Sequence, residues 1–152
     1  MAVSSVYFDS ALVAKFYVNE PGRDAVRALA REMGRVVTSG VAVAEVSAAF
    51  HRKLRESAVD HDVFGALMGQ FEQDLEDGLW YLAGPSEDLF RQVHTFFANL
   101  DEAVFVRSLD ALHLITARSE GFALIYSNDR HLLGACSHAS LEGIDPVPGR
   151  SP

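Results

Sequence analysis

The stretch FALIYSND, residues 122–129, decides the fold, because five consecutive apolar residues give way at once to serine, asparagine and aspartate. A short apolar run with aromatic and branched side chains, bounded by turn residues, is typical of a buried β-strand. An amphipathic pattern over residues 108–118 precedes it and ends near Gly121. A helix followed closely by a buried strand indicates an α/β protein.

Strand-like and helix-like patterns alternate over the rest of the chain as well. Further strands are predicted at residues 3–8, 36–38, 79–82 and 144–147. Further helices are predicted at residues 10–18, 23–33, 41–55 and 61–77, and after Pro85 and Ser86. Ser39 is the predicted cap of the helix over residues 41–55. The alternation indicates a parallel sheet covered by helices on both faces, with ligands bound beyond the carboxyl ends of its strands.

Length and composition suit one domain. The 152 residues, 49% of them hydrophobic, allow one core, predicted over residues 1–147 with a frayed tail at residues 148–152. The first residues lack signal-peptide features, and no apolar run reaches the roughly 18 residues of a spanning helix, so we expect a cytoplasmic protein without membrane contact. The lone Cys136 is expected to be a small buried side chain rather than a nucleophile.

The net charge of -8 at first argues against a nucleic-acid partner, since phosphate is bound by Lys and Arg. The distribution of charge removes that objection. Residues 56–102 hold eleven acids and one base, so the remaining residues carry a small positive excess. The sequence is therefore compatible with an RNA substrate.

Four acidic residues stand in apolar stretches, where a carboxylate is costly unless something compensates it. They are Asp9, Glu45, Asp110 and Asp129. Asp9 and Asp129 each follow a predicted strand, so both are expected at the binding edge of the sheet. Simpler explanations remain open: Asp9 and Asp129 as helix caps or turn residues, Glu45 as an exposed side chain, and Asp110 as the partner of Arg107.

If the four carboxylates converge, they repel one another. Two such charges about 4 Å apart repel by roughly 4 kcal/mol at an effective dielectric constant near 20. A hard divalent cation, Mg²⁺ or Mn²⁺, reverses that sign and prefers oxygen ligands. Because such an ion can activate water and neutralise a leaving oxygen, the four acids predict a metal-dependent phosphodiesterase.

Four segments resemble PIN-domain ribonucleases, and within that family the VapC-type toxins of toxin–antitoxin pairs. They are VYFDS at residues 6–10, TSGVAVAEV at 38–46, RSLDALHL at 107–114 and IYSNDRHL at 125–132. The resemblance implies a three-layer α/β/α sandwich with a parallel five-stranded sheet. It also implies that Asp9, Glu45, Asp110 and Asp129 bind Mg²⁺ or Mn²⁺ and catalyse RNA cleavage.

The resemblance further implies a homodimer, a cognate antitoxin that covers the acidic pocket, and an RNA substrate, with transfer RNA among the candidates. Ser127 stands where such proteins often carry threonine and would orient the metal-bound water. Asn128 departs from the family pattern and leaves open whether Asp129 binds the metal directly or through water. Ser10 and His113 are predicted to support the site, His113 from behind the acids rather than as a general base.

Basic residues near the acidic segments are candidate RNA contacts. They are Lys15, Arg52, Lys53 and Arg130. The alternative is that they are solvated helix ends, with Arg at the negative pole of a helix. Two other functions also remain open: a PIN-domain nuclease of RNA maturation or decay without an antitoxin, and a non-enzymatic Mg²⁺-dependent binding module with an acidic pocket.

Overall fold

The fold is described from a computed structural model, in which residues 4–147 and 149 are described. Its strands are β1 (Ser5–Tyr7), β2 (Arg35–Ser39), β3 (Trp80–Ala83), β4 (Leu124–Tyr126) and β5 (Glu142–Ile144). Its helices are α1 (Ser10–Tyr17), α2 (Arg23–Met33), α3 (Ala42–Arg55), α4 (His61–Glu76), α5 (Glu87–Ala98), α6 (Ser108–Ser119) and α7 (Arg130–Ala135), followed by a 3-10 helix (Cys136–Ala139). The predicted tail at residues 148–152 lies almost entirely outside the described residues.

The five strands are parallel, but they form two sheets. One has the order β1-β2-β3, and the other pairs β4 with β5. The sheets touch through a single parallel bridge between Phe8 and Tyr126, next to the hydrogen bond from the Asp9 N–H to the Tyr126 carbonyl (3.2 Å). The prediction of one five-stranded parallel sheet is thus confirmed only in part. β1 and β4 are each three residues long, and a helix begins shortly after each strand. The pairing between the two strands therefore does not extend beyond this bridge.

Helices cover the strands on both faces, as the alternation predicted. Along β1 the side chains alternate, so that Val6 and Phe8 enter one hydrophobic cluster and Tyr7 enters the other. The first cluster contains buried residues of α1 to α4, and the second contains those of α5, α6 and α7. Burial of each large apolar side chain contributes about 1.5–3 kcal/mol, so both faces hold the strands in place.

Three local predictions need correction. Ser39 does not cap α3: it belongs to β2, and α3 begins after Val41 with no side-chain cap. The last strand lies at Glu142–Ile144 rather than at residues 144–147. Neither α7 nor the 3-10 helix was predicted, because six and four residues are too few to show a helical period.

Cys136 is buried in the second cluster and its thiol donates to the Leu132 carbonyl (3.3 Å). Burial raises the pKa of this thiol to about 11, so it stays protonated at neutral pH. It packs as a small hydrophobic side chain, as expected. Over the described part of the chain, no helix combines the length and the apolar character needed to cross a membrane.

Gly40 lies where the ends of β2 and β3 come together. Its N–H donates to the carbonyls of Ala83 and Gly84, both at 3.2 Å. A β-carbon on Gly40 would overlap the carbonyl oxygen of Gly84, a backbone atom that cannot move aside easily. Since α3 begins two residues later, this close approach of two chains also sets where Glu45 lies.

We expect Gly40→Ala to lower the free energy of unfolding by about 1–3 kcal/mol, because the added methyl group overpacks this junction. Gly65→Ala is the matched control, since a β-carbon there meets nothing within 4 Å and the residue lies within α4. There, alanine should raise the free energy of unfolding by about 0.5–1 kcal/mol. Urea unfolding of both variants measures their free energies of unfolding. If Gly40→Ala is as stable as Gly65→Ala, the steric overlap assigned to Gly40 is wrong.

Candidate active site

The four predicted acids line one pocket of about 260 Å³, together with Ser10, Arg107 and His113. The pocket lies beside the carboxyl ends of β1 and β4, since Asp9 and Ser127 come soon after those strands. The four acids are far apart in the sequence, whereas the fold brings them to one pocket. This convergence is the arrangement from which the phosphodiesterase chemistry was predicted.

Each of the four acids lies at the N-terminal end of a helix. Asp9 and Asp129 are the N-cap residues of α1 and α7, while Glu45 and Asp110 lie in the first turns of α3 and α6. The positive end of a helix dipole stabilises a nearby carboxylate by about 0.3–1 kcal/mol. The helix-cap explanation for Asp9 and Asp129 is therefore correct, and it coexists with their place in the pocket.

Asp9 is buried, with only 3% of its surface exposed. One carboxylate oxygen accepts a hydrogen bond from the Leu12 N–H (3.1 Å), and the other accepts one from the Ser127 hydroxyl (2.6 Å). Burial raises the pKa of Asp9 to about 6, although the electrostatic interaction with His113 and the two hydrogen bonds oppose that rise. In the absence of a cation, the charge on Asp9 is therefore costly.

Ser127 connects the two N-cap acids. Its buried hydroxyl donates to Asp9 and accepts a hydrogen bond from the Asp129 N–H (2.9 Å). The single hydroxyl proton is thus committed to a carboxylate. These contacts make Ser127 a residue that positions Asp9 and Asp129, whereas the family resemblance had implied contact with a water molecule.

The Arg107 side chain binds two of the aspartates, Asp110 and Asp129. Its Nε donates to Asp110 Oδ2 and its Nη2 to Asp129 Oδ2, both at 2.6 Å. The hydrogen bonds to the two carboxylates raise the pKa of Arg107 further above its already high value. Burial works to raise the pKa of Asp129, but the bonds from Arg107 and from the His131 N–H hold it below its ordinary value.

Glu45 is held by a buried chain of polar groups. His113, which is 1% exposed, bonds Glu45 Oε1 through Nε2 (2.7 Å) and the Tyr7 hydroxyl through Nδ1 (2.9 Å). Burial raises the pKa of Tyr7 well above its ordinary value, so its hydroxyl stays protonated and donates a hydrogen bond to Nδ1. In neutral His113 the remaining proton then lies on Nε2 and points at Glu45. Sequence analysis had treated Tyr7 only as a strand residue.

Protein groups compensate much of the acidic charge that a metal alone was expected to compensate. Arg107, His113, Ser127 and four helix N-termini all favour the carboxylates. Within residues 4–147 and 149, no group of three or more His, Cys, Asp or Glu side chains is arranged closely enough to hold a metal ion. The donor set itself fits Mg²⁺ or Mn²⁺, because four carboxylates share one pocket, but Asp110 and Asp129 each have an oxygen bound to Arg107.

A second pocket, of about 370 Å³, opens from the first. It shares Ser10, Glu45 and Asp129 with the acidic pocket. Its other lining residues include Asn128 and three of the predicted RNA contacts, Lys15, Arg52 and Lys53. Arg130, the fourth, is exposed at the start of α7 and lines neither pocket. The structure therefore brings three of the four basic residues to the edge of the acids.

Glu20 binds two of these basic residues and was missed by sequence analysis. Its carboxylate accepts from Lys15 Nζ (2.9 Å) and Lys53 Nζ (3.2 Å), and Lys15 also donates to the Pro21 carbonyl (3.2 Å). Lys15 is only 5% exposed, whereas Arg52 is exposed. The pairing joins the segment after α1 to the last turn of α3, and no regular spacing in the sequence indicates it.

Comparison with known proteins tests the resemblance. The sequence matches the PIN domain over residues 6–136. The chain belongs to the PIN-domain family. This PIN-domain chain is 32% identical over 116 residues to ribonuclease VapC45 of Mycobacterium tuberculosis (strain CDC 1551 / Oshkosh), an alignment that covers 76% of each protein. The family predicted from the four segments is confirmed.

Two solved structures share the PIN-domain fold at low sequence identity. FitAcB from Neisseria gonorrhoeae has a TM-score of 0.67 at 16% identity, with 93% of this chain and 97% of that chain covered. VapC20 of Mycobacterium tuberculosis, a sarcin-ricin loop cleaving toxin, has a TM-score of 0.63 at 15% identity, with 86% and 94% covered. Both similarities support the α/β architecture described above.

We expect Asp9→Asn to raise the free energy of unfolding of the metal-free protein near pH 7 by up to about 3 kcal/mol. Ionisation of a carboxyl whose pKa is about 6 when folded and 3.8 when unfolded destabilises the fold as pH rises between those values. Below pH about 4 the side chain is protonated in both states, so the difference between variant and wild type should vanish. Urea unfolding across this pH range measures it.

Asp129→Asn provides the control of opposite sign. The pKa of Asp129 is lowered, so its charge stabilises the fold above the unfolded pKa and that contribution disappears in acid. This variant should therefore be less stable than wild type near pH 7. If Asp9→Asn instead destabilises the protein throughout the pH range, the cost assigned to buried Asp9 is wrong.

Proposed function

We propose that the protein is a metal-dependent endoribonuclease and the toxin of a toxin–antitoxin pair, with its activity carried by one domain over residues 1–147. The observation that carries the proposal is the convergence of Asp9, Glu45, Asp110 and Asp129 in one pocket of a PIN-domain chain. The names of similar proteins point the same way, since VapC45 is a ribonuclease and VapC20 is a sarcin-ricin loop cleaving toxin.

The four acids are the residues that would hold Mg²⁺ or Mn²⁺. A bound ion would supply a deprotonated water at neutral pH and positive charge beside the leaving oxygen. The chain's own groups prepare the carboxylates for this task. The Leu12 N–H and Ser127 fix Asp9, the His131 N–H fixes Asp129, and His113 fixes Glu45. Held carboxylates lose little freedom on binding, which favours a defined geometry at the phosphodiester.

The second pocket is the proposed path of the RNA strand into the acidic pocket. Arg52 and Lys53 lie on its wall, where they would contact a phosphate next to the one that is cleaved. Lys15 lines the same pocket, but it is buried and its Nζ is paired with Glu20. Asn128 on the same wall is available to the strand. Transfer RNA and ribosomal RNA loops are the substrate classes to test first.

The proposed toxin function implies two protein partners, an antitoxin and a second copy of the chain. A cognate antitoxin would cover the acidic pocket. A second copy of the chain would cover exposed apolar side chains, which are enriched at interfaces between identical subunits. These exposed side chains are Tyr81, Leu82, Phe90, Phe97, Phe105 and Leu109. They are the candidate contacts of a homodimer, because a large contiguous apolar patch on a surface marks an interaction site.

We expect Asp9→Asn and Asp110→Asn each to reduce metal-dependent RNA cleavage by about a hundredfold or more, because each removes a ligand charge from the proposed ion site. Total RNA, transfer RNA and ribosomal RNA are incubated with antitoxin-free protein and Mn²⁺, and a parallel sample contains EDTA. Cleavage should occur only in wild type with Mn²⁺.

Asp24→Asn is the matched control for charge and chemistry. Its side chain is 99% exposed on α2, and Asp24 is not a lining residue of the acidic pocket. The control should cleave like wild type. Circular dichroism must show that both site variants are folded. Undiminished turnover in both folded site variants would remove the proposed roles of the acids.

The double variant Arg52→Gln, Lys53→Gln should bind single-stranded RNA more weakly and with a shallower salt dependence. The slope of log affinity against log salt should fall by about 0.7 for each phosphate that the variant no longer neutralises. Fluorescence anisotropy in EDTA, which prevents cleavage, measures both quantities. Arg118→Gln, at the far end of α6, is the control for removal of one positive charge. An unchanged slope in the double variant would place the RNA elsewhere.

A further inference from the structure

Arg107 lines the acidic pocket but belongs neither to the predicted ligand set nor to the predicted RNA contacts. It directly precedes α6, and its side chain folds back over the first turn of that helix to Asp110. The same guanidinium then reaches Asp129, the N-cap residue of α7. One cation therefore spans two acids that stand on different helices.

Both contacts are of the strong kind. Each joins a charged donor to a charged acceptor at 2.6 Å, and two separate N–H groups of one rigid planar group are used. The side chains involved remain partly accessible, with 42% of Arg107, 12% of Asp110 and 30% of Asp129 exposed. The ion pairs are thus partly open to solvent, from which a competing ion can reach them.

The other bonds to these acids are much harder to replace. Asp9 is held by a backbone N–H inside α1 and by a buried hydroxyl, and Asp129 is also held by a backbone N–H of α7. Compared with these partners, Arg107 has a long and flexible side chain, and rotation about its own bonds can move it away from the acids. Its release would free one oxygen on Asp110 and one on Asp129.

Among the described residues, no three metal-binding side chains are arranged to hold an ion, and Arg107 binds two of the four acids in the pocket. A guanidinium and a divalent ion compete for the same carboxylate oxygens. With Arg107 in place, the metal-free pocket is already partly neutralised. Release of Arg107 would therefore make one further oxygen on each aspartate available to a divalent ion.

We propose that Arg107 is an internal counter-cation, which binds Asp110 and Asp129 in the metal-free protein and exchanges them for an RNA phosphate when the protein binds a divalent ion. This inference rests on the proposed function. A released guanidinium stays at the mouth of the pocket, because Arg107 is anchored at the start of α6 beside Ser108 and Leu109, which also line it. Its planar pair of donors suits two phosphate oxygens as well as it suits two carboxylates.

The two halves of the proposal predict changes of opposite direction in one variant. Arg107→Gln should bind Mn²⁺ about tenfold more tightly than wild type, because no charge-assisted hydrogen bonds need to be broken first. At saturating Mn²⁺ the same variant should cleave RNA at least about tenfold more slowly, because glutamine does not replace the bond from the guanidinium to the phosphate. A residue that only maintains the fold would not raise one quantity and lower the other.

Isothermal titration with Mn²⁺ provides the readout that does not depend on activity. Wild type, Arg107→Gln, Arg118→Gln and Asp9→Asn are titrated under the same conditions, and cleavage is then measured at saturating Mn²⁺. Arg118→Gln removes the same charge from the other end of α6 and should match wild type in both measurements. Asp9→Asn should bind Mn²⁺ weakly or not at all.

The outcomes separate this inference from the proposed function. If wild type binds Mn²⁺ and Asp9→Asn does not, but Arg107→Gln has the affinity of Arg118→Gln or a lower one, the counter-cation role is wrong while the metal site stands. If Arg107→Gln binds Mn²⁺ more tightly yet cleaves at the wild-type rate, the phosphate role is wrong. If no protein binds Mn²⁺, the proposed function fails along with the inference.

Discussion

The hydrogen bond between the Ser127 hydroxyl and Asp9 joins the two halves of the molecule at the site. β1 and β4 belong to different sheets and meet at one bridge, so little backbone pairing fixes their relative position there. Ser127 adds a connection through its bond to Asp9, and it also accepts the N–H of Asp129 on its own side of the junction. A buried hydroxyl with both partners satisfied is costly to displace. The separation of the two N-cap acids is therefore set by Ser127 together with the backbone hydrogen bond from Asp9 to Tyr126.

A pocket of four acids is stable without a metal because each carboxylate has its own means of compensation. All four lie at helix N-termini, and each has a particular side chain as partner: Ser127 for Asp9, His113 for Glu45, and Arg107 for Asp110 and Asp129. These partners differ in mobility, since Ser127 and His113 are buried and Arg107 is not. Rigid partners set the geometry, whereas the mobile partner leaves room for a competing cation.

The order of strands and helices could be predicted from the sequence because apolar spacing reports which face of each element is buried. The convergence of Asp9 and Asp129 followed from their places after parallel strands, whose carboxyl ends share an edge. Contacts between distant side chains could not be predicted in this way. Arg107 was noted as a partner for Asp110 at three residues' distance, but its contact with Asp129 depends on the angle between α6 and α7. α7 itself shows no period in six residues, and Glu20 meets Lys53 only after α1 and α3 have packed.

The contact between Asp9 and Ser127 spans 118 positions of the chain. During synthesis the first acid therefore emerges long before its partner, since ribosomes add about 5–20 residues per second. A growing chain that has not reached residue 129 lacks one acid and, before residue 127, also the hydroxyl that positions another. The pocket of four acids consequently assembles only after residue 129 has been synthesised, when the last acid and the hydroxyl that positions Asp9 are both present.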